Sequence, residues 1–414
     1  MQPIRFAILL MLALVVSALG QINVPPGNWD GSLNITTDTT IDLSFAADGD
    51  WDSGVSSGEG TYDADQWAIV FHYEDVSIAG GATLTFVNHP KSAPVVWIVQ
   101  NTVTINGTIS LDGKIGSATL MTNAEGGPGG FRGGRKQVGT SIAGGGFGPG
   151  GAVSRVGNGA GYGGGYGTEG QSLPYGGITY GSFEILPLIG GSGGSGGRNN
   201  SSSGGGGGGG AILVAAGEWV HVGGEIHSNG GTVETSSATY RGGGGSGGAI
   251  RIISGLIDGD GILRAVGSGT NSFGGNGRIR LEAASVMMDN DPIGVFSVVD
   301  PGPDAQIWPD ATHPSVEIQL LNGVSVPVDP MAEMIYPMQD IDLDGAEDLV
   351  VDLQGLHIDA SAAVKVFVTR KDGLRVEADA IFVSDDGSNF STWTCTLLGV
   401  GNGMRAIQAR VIVE

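Results

Sequence analysis

Between residues 90 and 285 the chain alternates short apolar blocks with glycine, and blocks of the same kind recur. Gly107-Thr-Ile109-Ser-Leu-Asp-Gly113 lines up with Gly224-Glu-Ile226-His-Ser-Asn-Gly230 and with Gly261-Ile-Leu263-Arg-Ala-Val-Gly267. A second block precedes these: Pro94-Val-Val-Trp-Ile-Val99, Gly210-Ala-Ile-Leu-Val-Ala215 and Gly248-Ala-Ile-Arg-Ile-Ile253, with a further copy at Gly277-Arg-Ile-Arg-Leu-Glu282. Each unit holds a strand, a few linking residues such as Asn101–Ile105 or Glu218–Val222, and another strand, which is the grammar of a solenoid. No segment places apolar residues at helical spacing over three turns, and glycine in a helix interior costs about 1 kcal/mol each. Short strands without connecting helices can still pair in parallel if the chain coils and each turn stacks on the last. The pattern therefore predicts an all-β protein with a right-handed parallel β-helix. Ile109, Ile226 and Leu263 would stack inside it, and glycine and asparagine would take positive φ at its corners. The competing β-sandwich or barrel calls for two-residue hairpin turns, which are scarce here.

Glycine clusters at 126–168, 190–210, 241–248 and 267–277. By composition such runs resemble flexible linkers. Phe131, Phe147, Tyr162, Tyr166, Tyr175, Tyr180, Phe183, Ile185, Leu186 and Leu188 are interleaved with them, however, and a solvated linker has no need of these residues. The expectation is a packed Gly-rich insertion over about 124–210, with extended polyglycine strands in close contact on the flank of the coil. Residues 21–80 read as N-terminal cap strands over the coil, 81–300 as the coil with its insertion, and 301–314 as a proline-rich linker. Residues 315–414 form regular strands with turns every ten residues or so, a C-terminal immunoglobulin-like β-sandwich.

Residues 1–20 combine Arg5, an apolar run from Phe6 to Ala18 and small residues before Gln21, the pattern of a secretory signal peptide. Gln21 stands where a lipoprotein would need cysteine, so no lipid anchor is expected, and no later run reaches membrane-spanning length. The chain is thus expected to be secreted, extracellular or on the cell surface. Its single cysteine, Cys395, shares a strand face with Trp393 and Leu397 and reads as a buried thiol. The net charge of −23 is uneven. Residues 21–123 and 315–414 each carry roughly ten excess carboxylates, whereas 124–300 is nearly balanced. Such a field disfavours nucleic acid and anionic membranes as partners.

The sharpest local motif is Asp340-Ile-Asp342-Leu-Asp344-Gly345-Ala-Glu347-Asp348. Alternate oxygen ligands followed by glycine fit calcium, with Asp340, Asp342, Asp344 and Asp348 as ligands; an acidic hairpin turn fits equally simple terms. Calcium is the one cofactor the sequence raises. For catalysis, Asp258 and Asp260 with Glu225 and His227 would make a carboxylate and imidazole patch if brought together, or plain surface turns if not. His72, His89, His221, His227, His313 and His357 lack metal-ligand spacing. Trp29, Trp51 and Trp67 suit either a coil cover or stacking on sugar rings. No catalytic residue is assigned.

At Phe86–Val99, Gly126-Gly-Pro-Gly-Gly-Phe131-Arg, Leu186-Pro-Leu-Ile-Gly190-Gly-Ser-Gly-Gly and Gly277-Arg-Ile-Arg-Leu-Glu282 the chain resembles a group of secreted, glycine-rich bacterial proteins. That resemblance implies a bacterial origin and a pectin-lyase-like β-helix with no assigned activity, and it transfers no catalytic residues. Pectinase-type hydrolases carry paired aspartates, Gly-His-Gly and Arg-Ile-Lys; here Gly277-Arg278-Ile-Arg280 stands without the other two. The function expected is a non-enzymatic structural or adhesion-type protein that binds glycan or protein. The alternatives are a polysaccharide lyase or glycoside hydrolase, and a calcium-binding extracellular module.

Overall fold

Val103 and Ile105, like Val220 and Val222, alternate with polar neighbours, so an extended backbone buries all four on one face. The computed structural model describes residues 21–46, 60–119, 122–155, 157–171, 175–234, 239–269, 272–327, 339–343, 348–370 and 375–412. The expected signal peptide, Trp51 and Asp344 lie outside the described residues. Among those described, one 3-10 turn at Leu43–Phe45 is the only helical piece, and the protein is otherwise strands and extended chain.

The chain opens with β1 (Leu33–Ile35) and β2 (Thr39–Asp42), then β3 (Thr61–Asp63). Three laps of three strands follow: β4 (Ala68–Tyr73), β5 (Val76–Ile78) and β6 (Thr83–Val87); β7 (Val95–Val99), β8 (Thr102–Ile105) and β9 (Thr108–Ser110); β10 (Ala211–Ala216), β11 (Trp219–Val222) and β12 (Glu225–His227). Next come β13 (Ala249–Gly259), which spans two sheet positions, β14 (Ile262–Arg264), β15 (Arg278–Met288) and β16 (Val295–Val299). All pairings between laps are parallel. Within 21–80, the segment expected to form a cap, β1, β2, β4 and β5 pair in parallel with the same ladders, while β3 pairs antiparallel with β4.

The ladders align apolar positions into rows. Ile69, Val95, Ile212, Ile250, Ile279 and Phe296 form one, and Leu84, Ile109, Ile226 and Leu263 another. Both rows up to Ile279 and Leu263 belong to one buried core. The opposite face of the β4–β7–β10–β13 sheet is also apolar and carries a second core, in which Val96, Ile98, Leu213 and Ile253 pack against Ile22, Tyr166, Tyr180, Ile185, Leu188 and Ile307. A sheet covered on both faces explains why β7 and β10 are apolar at every position.

The glycine-rich stretches between laps are ordered extended chains packed side by side. Along 204–211 the backbone N–H groups donate in rotation to Ser117, Gly134 and Gly243, then Lys114, Phe131 and Ser246, then Leu111 and Pro128. The period of three is that of an extended helix with about three residues per turn and no internal hydrogen bonds. Segment 190–198 repeats it, donating in turn to Gly129, Gly209 and Ser246, then to Phe147, Gly206 and Tyr162. Positive φ, the reason glycine was expected at the corners of the coil, does not account for these glycines, since no glycine in 204–210 or 242–248 adopts it. The need is space: a Cβ on Gly206 would stand 1.8 Å from the Gly231 carbonyl oxygen, and one on Gly248 1.8 Å from that of Gly210. Each third residue of Gly190-Gly-Ser-Gly-Gly-Ser-Gly-Gly197 can carry a hydroxyl because it faces a polar gap. Ser192 donates to the Tyr180 hydroxyl at 2.9 Å, and Ser195 accepts from the Tyr162 N–H at 2.8 Å.

Past residue 314, β17 (Ser315–Leu321), β18 (Val324–Ser325), β19 (Leu349–Leu356), β20 (Ala363–Arg370), β21 (Arg375–Asp379), β22 (Ile381–Asp385), β23 (Phe390–Leu397) and β24 (Arg405–Ile412) form two antiparallel sheets. Their orders are β18–β17–β19–β23–β22 and β21–β20–β24, and both contribute to one core of Val351, Leu353, Val366, Val368, Trp393 and Cys395. Cys395 is buried as its strand pattern requires, and burial pushes its thiol pKa up. Arg375 reaches out of this unit to the glycine layer, donating to the carbonyls of Gly148, Pro149 and Gly151 at 2.8–2.9 Å while its guanidinium lies over Phe367. Burial lowers the Arg375 pKa to about 10.

Candidate functional site

The parallel ladder β2–β6–β9–β12–β14 shows its polar side to solvent. Because side chains alternate along each strand, Thr40, Thr85, Ser110, His227 and Arg264 fall on the outward side, flanking the buried row of Leu84, Ile109, Ile226 and Leu263. Thr40 and Thr85 share a hydroxyl hydrogen bond at 2.8 Å, and Glu225 holds the ring of His227.

Where the chain leaves β9 for the glycine layer, this face ends in a groove. One depression, about 180 Å³, is lined by Thr85, Asn88, Ser110, Asp112 and Lys114; the next, about 390 Å³, by Asp112, Asn229, Thr232, Val266 and Ser268. Asp112 and half-exposed Ile115 belong to both, so the two form one trough running across successive laps. Its floor is rigid. Asp112 accepts from the Asn229 N–H at 2.6 Å, and the Asn229 side-chain oxygen accepts from the Val266 N–H at 3.2 Å. Phe86, Leu111, Pro128 and Val266 line it beside the hydroxyl, amide and charged groups, so the trough is shallow and of mixed polarity, and it does not enclose a small molecule, for which sites usually bury most of the ligand.

The other sequence-flagged groups are distributed elsewhere. Asp258 is engaged on the β11–β13 ladder, where its Oδ1 lies 2.7 Å from Nδ1 of His221 and accepts from the Trp219 indole at 2.9 Å. Glu225 and His227 pair with each other on β12 in the other sheet, so the four residues Asp258, Asp260, Glu225 and His227 are not brought together in one patch. Asp260 contributes its backbone carbonyl to Asn290. Arg278 and Arg280 are fixtures of the second core. Arg278 donates to the carbonyls of Tyr180 and Gly181, Arg280 to Glu282, and Arg251 to Glu282 and the carbonyl of Gln306. They pin the covering segments around 180–184 and 306–307 onto the sheet. Trp29 and Trp67 are packed as cover, Trp29 against the second core and Trp67 against the first, with the Trp67 indole donating to the Lys91 carbonyl.

In the acidic loop, Asp340 and Asp342 are exposed and Asp348 accepts from the Gly399 N–H at 2.8 Å. Among the described residues no group of three or more His, Cys, Asp or Glu side chains is gathered to hold a metal ion. No helix among them is long and apolar enough to cross a membrane. The groove itself escaped the sequence reading because its residues come from three laps; the only local signal was the recurring Asp or Asn before glycine at Asp112-Gly113 and Asn229-Gly230. Comparison with protein-family models, with curated proteins and with solved structures finds no match for this chain.

Proposed function

We propose that this chain is a secreted or cell-surface scaffold, non-enzymatic, that holds an extended glycan along the Asp112 groove. In this reading the laps form a right-handed parallel β-helix and residues 315–414 an immunoglobulin-like sandwich. Support comes from one observation above all: a trough that mixes hydroxyl, amide and charged groups with apolar side chains crosses successive laps, and half-exposed Ile115 offers an apolar contact for a sugar face. A rigid floor costs little ordering on binding. Secretion is supported by the N-terminal sequence alone.

A glycan-array screen of the intact chain beside a lyase assay on uronic-acid polymers tests the reading. Binding that falls on Ile115→Ala and Lys114→Ala, with no new unsaturated ends or reducing ends formed, is the expected result. A second reading, a polysaccharide lyase or hydrolase, draws on the His227–Glu225 pair, which is in register with Ser110 at the groove edge. Product formation abolished by His227→Ala would replace the scaffold with the enzyme. A calcium module would show as heat of binding that is lost on Asp340→Asn and Asp348→Asn.

A further inference from the structure

The two ends of the stacked laps are finished differently. At the first end Leu33, Ile35, Ile41 and Leu43 are buried in the first core, and the ladder that starts at β4 is closed on its outer edge by an antiparallel strand, β3. At the last end of the same ladder β16 pairs with β15 alone among the described strands. Its register sets Phe296 beside Ile279 and Val298 beside Leu281, so both side chains continue rows of the first core. They are nevertheless 45% and 50% exposed, because no further lap covers them. Val286 and Met288, on the second half of β15, are likewise only half-buried against that core. Past β16 the chain turns to the other face of the sheet, where Pro303 accepts from the Asn23 N–H and Ile307 joins the second core. The backbone of the last strand is open as well. Val295 donates to the Gly277 carbonyl, and successive residues of a strand point their N–H and C=O groups to opposite sides, so Phe296 and Val298 direct theirs away from β15.

We propose that this open end is a self-association surface, on which a second copy of the chain docks end to end with its β16 antiparallel to this one. Val295-Phe-Ser-Val-Val299 carries no charge and fits its own two-fold image. With the axis at Ser297, Phe296 stands opposite Val298 of the second copy and the two exchange both backbone hydrogen bonds; the symmetry repeats the pair, so the open groups of both residues are used on each edge. An axis normal to the sheet keeps the inward faces on one side. Phe296 and Val298 of the two copies then close a shared core through aromatic to β-branched cross-strand contacts. Closure by an antiparallel strand is what β3 provides at the opposite end. Because that end is already closed, head-to-tail stacking has no matching open face, and the contact stops at two copies. Met287, Ile293, Phe296 and Val298 are exposed together on the last lap, on the order of 300–400 Å² of apolar surface per copy. Patches of that size mark interfaces but fall short of the ~800 Å² each partner commonly gives a stable complex, so the dimer depends on concentration. Exposed Asp289, Asp291 and Asp300 border the end, and salt that screens their mutual repulsion strengthens the contact.

Sedimentation velocity of the full chain over a range of concentrations tests it. The measurement contains no glycan, so it stands whether or not the Asp112 groove binds one. Wild type passes from monomer to dimer as concentration rises, and does so more readily at high salt. Val298→Lys weakens association at least about tenfold, because it sets a cation in the shared core from each side. Val298→Pro removes a donor that faces solvent in the monomer, and it weakens association with little change in the melting temperature of the dilute protein. Ser297→Cys reads the register. At a non-hydrogen-bonded pair the two α-carbons stand about 4.5 Å apart, within disulfide reach, so oxidised glutathione links the dimer there and not through Asn290→Cys, away from the axis. Cys395 is buried in its own core and contributes no link. Monomer at every concentration up to roughly millimolar would leave the edge to a strand of some other protein, and assemblies beyond two would mean head-to-tail stacking. Association untouched in Val298→Lys, or links formed equally at both cysteines, would mean a different surface. Each of these results overturns the proposal.

Discussion

Nε of Arg251 lies 2.7 Å from Oε1 of Glu282 on neighbouring parallel strands, and both side chains are shut away from water beneath the 306–307 segment. Arg280 shares the same carboxylate oxygen at 2.8 Å. Burial draws the Arg251 pKa down while Glu282 holds it up, so the pair survives in a dry place only because each partner answers the other. Arg251→Ala is expected to cost about 3–5 kcal/mol, since it leaves a buried carboxylate short of its partner. Arg251→Met combined with Glu282→Leu is expected to cost less than either change alone. Urea unfolding of the three variants measures this, and a double variant worse than both singles would show that the pair adds net stability.

The alternation that betrayed the laps was legible because a strand buried on one face must repeat every second residue. Ile109, Ile226 and Leu263 could be aligned by eye, and they stand in register in one core. Asn101–Ile105 and Glu218–Val222 were read as links although Val103, Ile105, Val220 and Val222 carry the same alternation; four residues are too few to tell a strand from a turn without its neighbours. Gly-Gly-Ser repeats looked like linker because composition cannot report that each N–H has a carbonyl waiting on another chain. The groove was hidden for the same reason, since Asp112 and Asn229 meet only when two laps stack.

Close backbone approach in the glycine layer predicts a sharp contrast between positions of identical residue type. A Cβ at Gly206 would stand 1.8 Å from the Gly231 oxygen, which cannot move without breaking the Gly231 N–H bond to Gly207. Gly206→Ala should therefore destabilise by several times the roughly 1–3 kcal/mol typical of overpacking, and expose 190–210 to proteolysis. Gly157→Ala meets nothing within 4 Å and should be silent. Limited proteolysis with mapping of the cut sites distinguishes the two, and equal behaviour would mean the layer is not packed in solution.

Alkaline titration should report both cores of the parallel ladders, Tyr73 lying in the first and Tyr166 and Tyr180 in the second. Tyr73, Tyr166 and Tyr180 are fully buried, and removal from water raises the pKa of each phenol above its usual value near 10. The folded state thus keeps three protons that the unfolded chain surrenders, so their stabilising effect is complete below about pH 10 and is lost as pH rises beyond it. Arg375 works the other way, because its lowered value near 10 makes deprotonation easier in the folded state and favours folding as pH rises from there. Burial lowers Arg251, Arg405 and Arg410 in the same sense but by less than Arg375, so against three buried phenols net stability should still fall. Of the eight tyrosines, Tyr73, Tyr166 and Tyr180 should ionise only with unfolding, seen as a late, cooperative step in phenolate absorbance coincident with loss of strand circular dichroism. A single smooth titration of all eight would place these rings in contact with water.

Ile226 is the middle member of a row, with Ile109 on one side and Leu263 on the other, and none of the three is exposed by more than 1%. Removing its outer carbons leaves a hole that neither neighbour can fill, because the ladders fix both backbones, β9 between β6 and β12 and β14 against β12. Ile226→Ala should then cost about 2–5 kcal/mol and Ile226→Val about 0.5–1.5 kcal/mol. The outward neighbour His227, half a pleat away, offers the control: His227→Ala removes a side chain of comparable size from the solvent face and should cost far less. Thermal melts of the three variants check the order. A cost for His227→Ala equal to that of Ile226→Ala would mean that the two faces of this sheet are not distinguished as inside and outside.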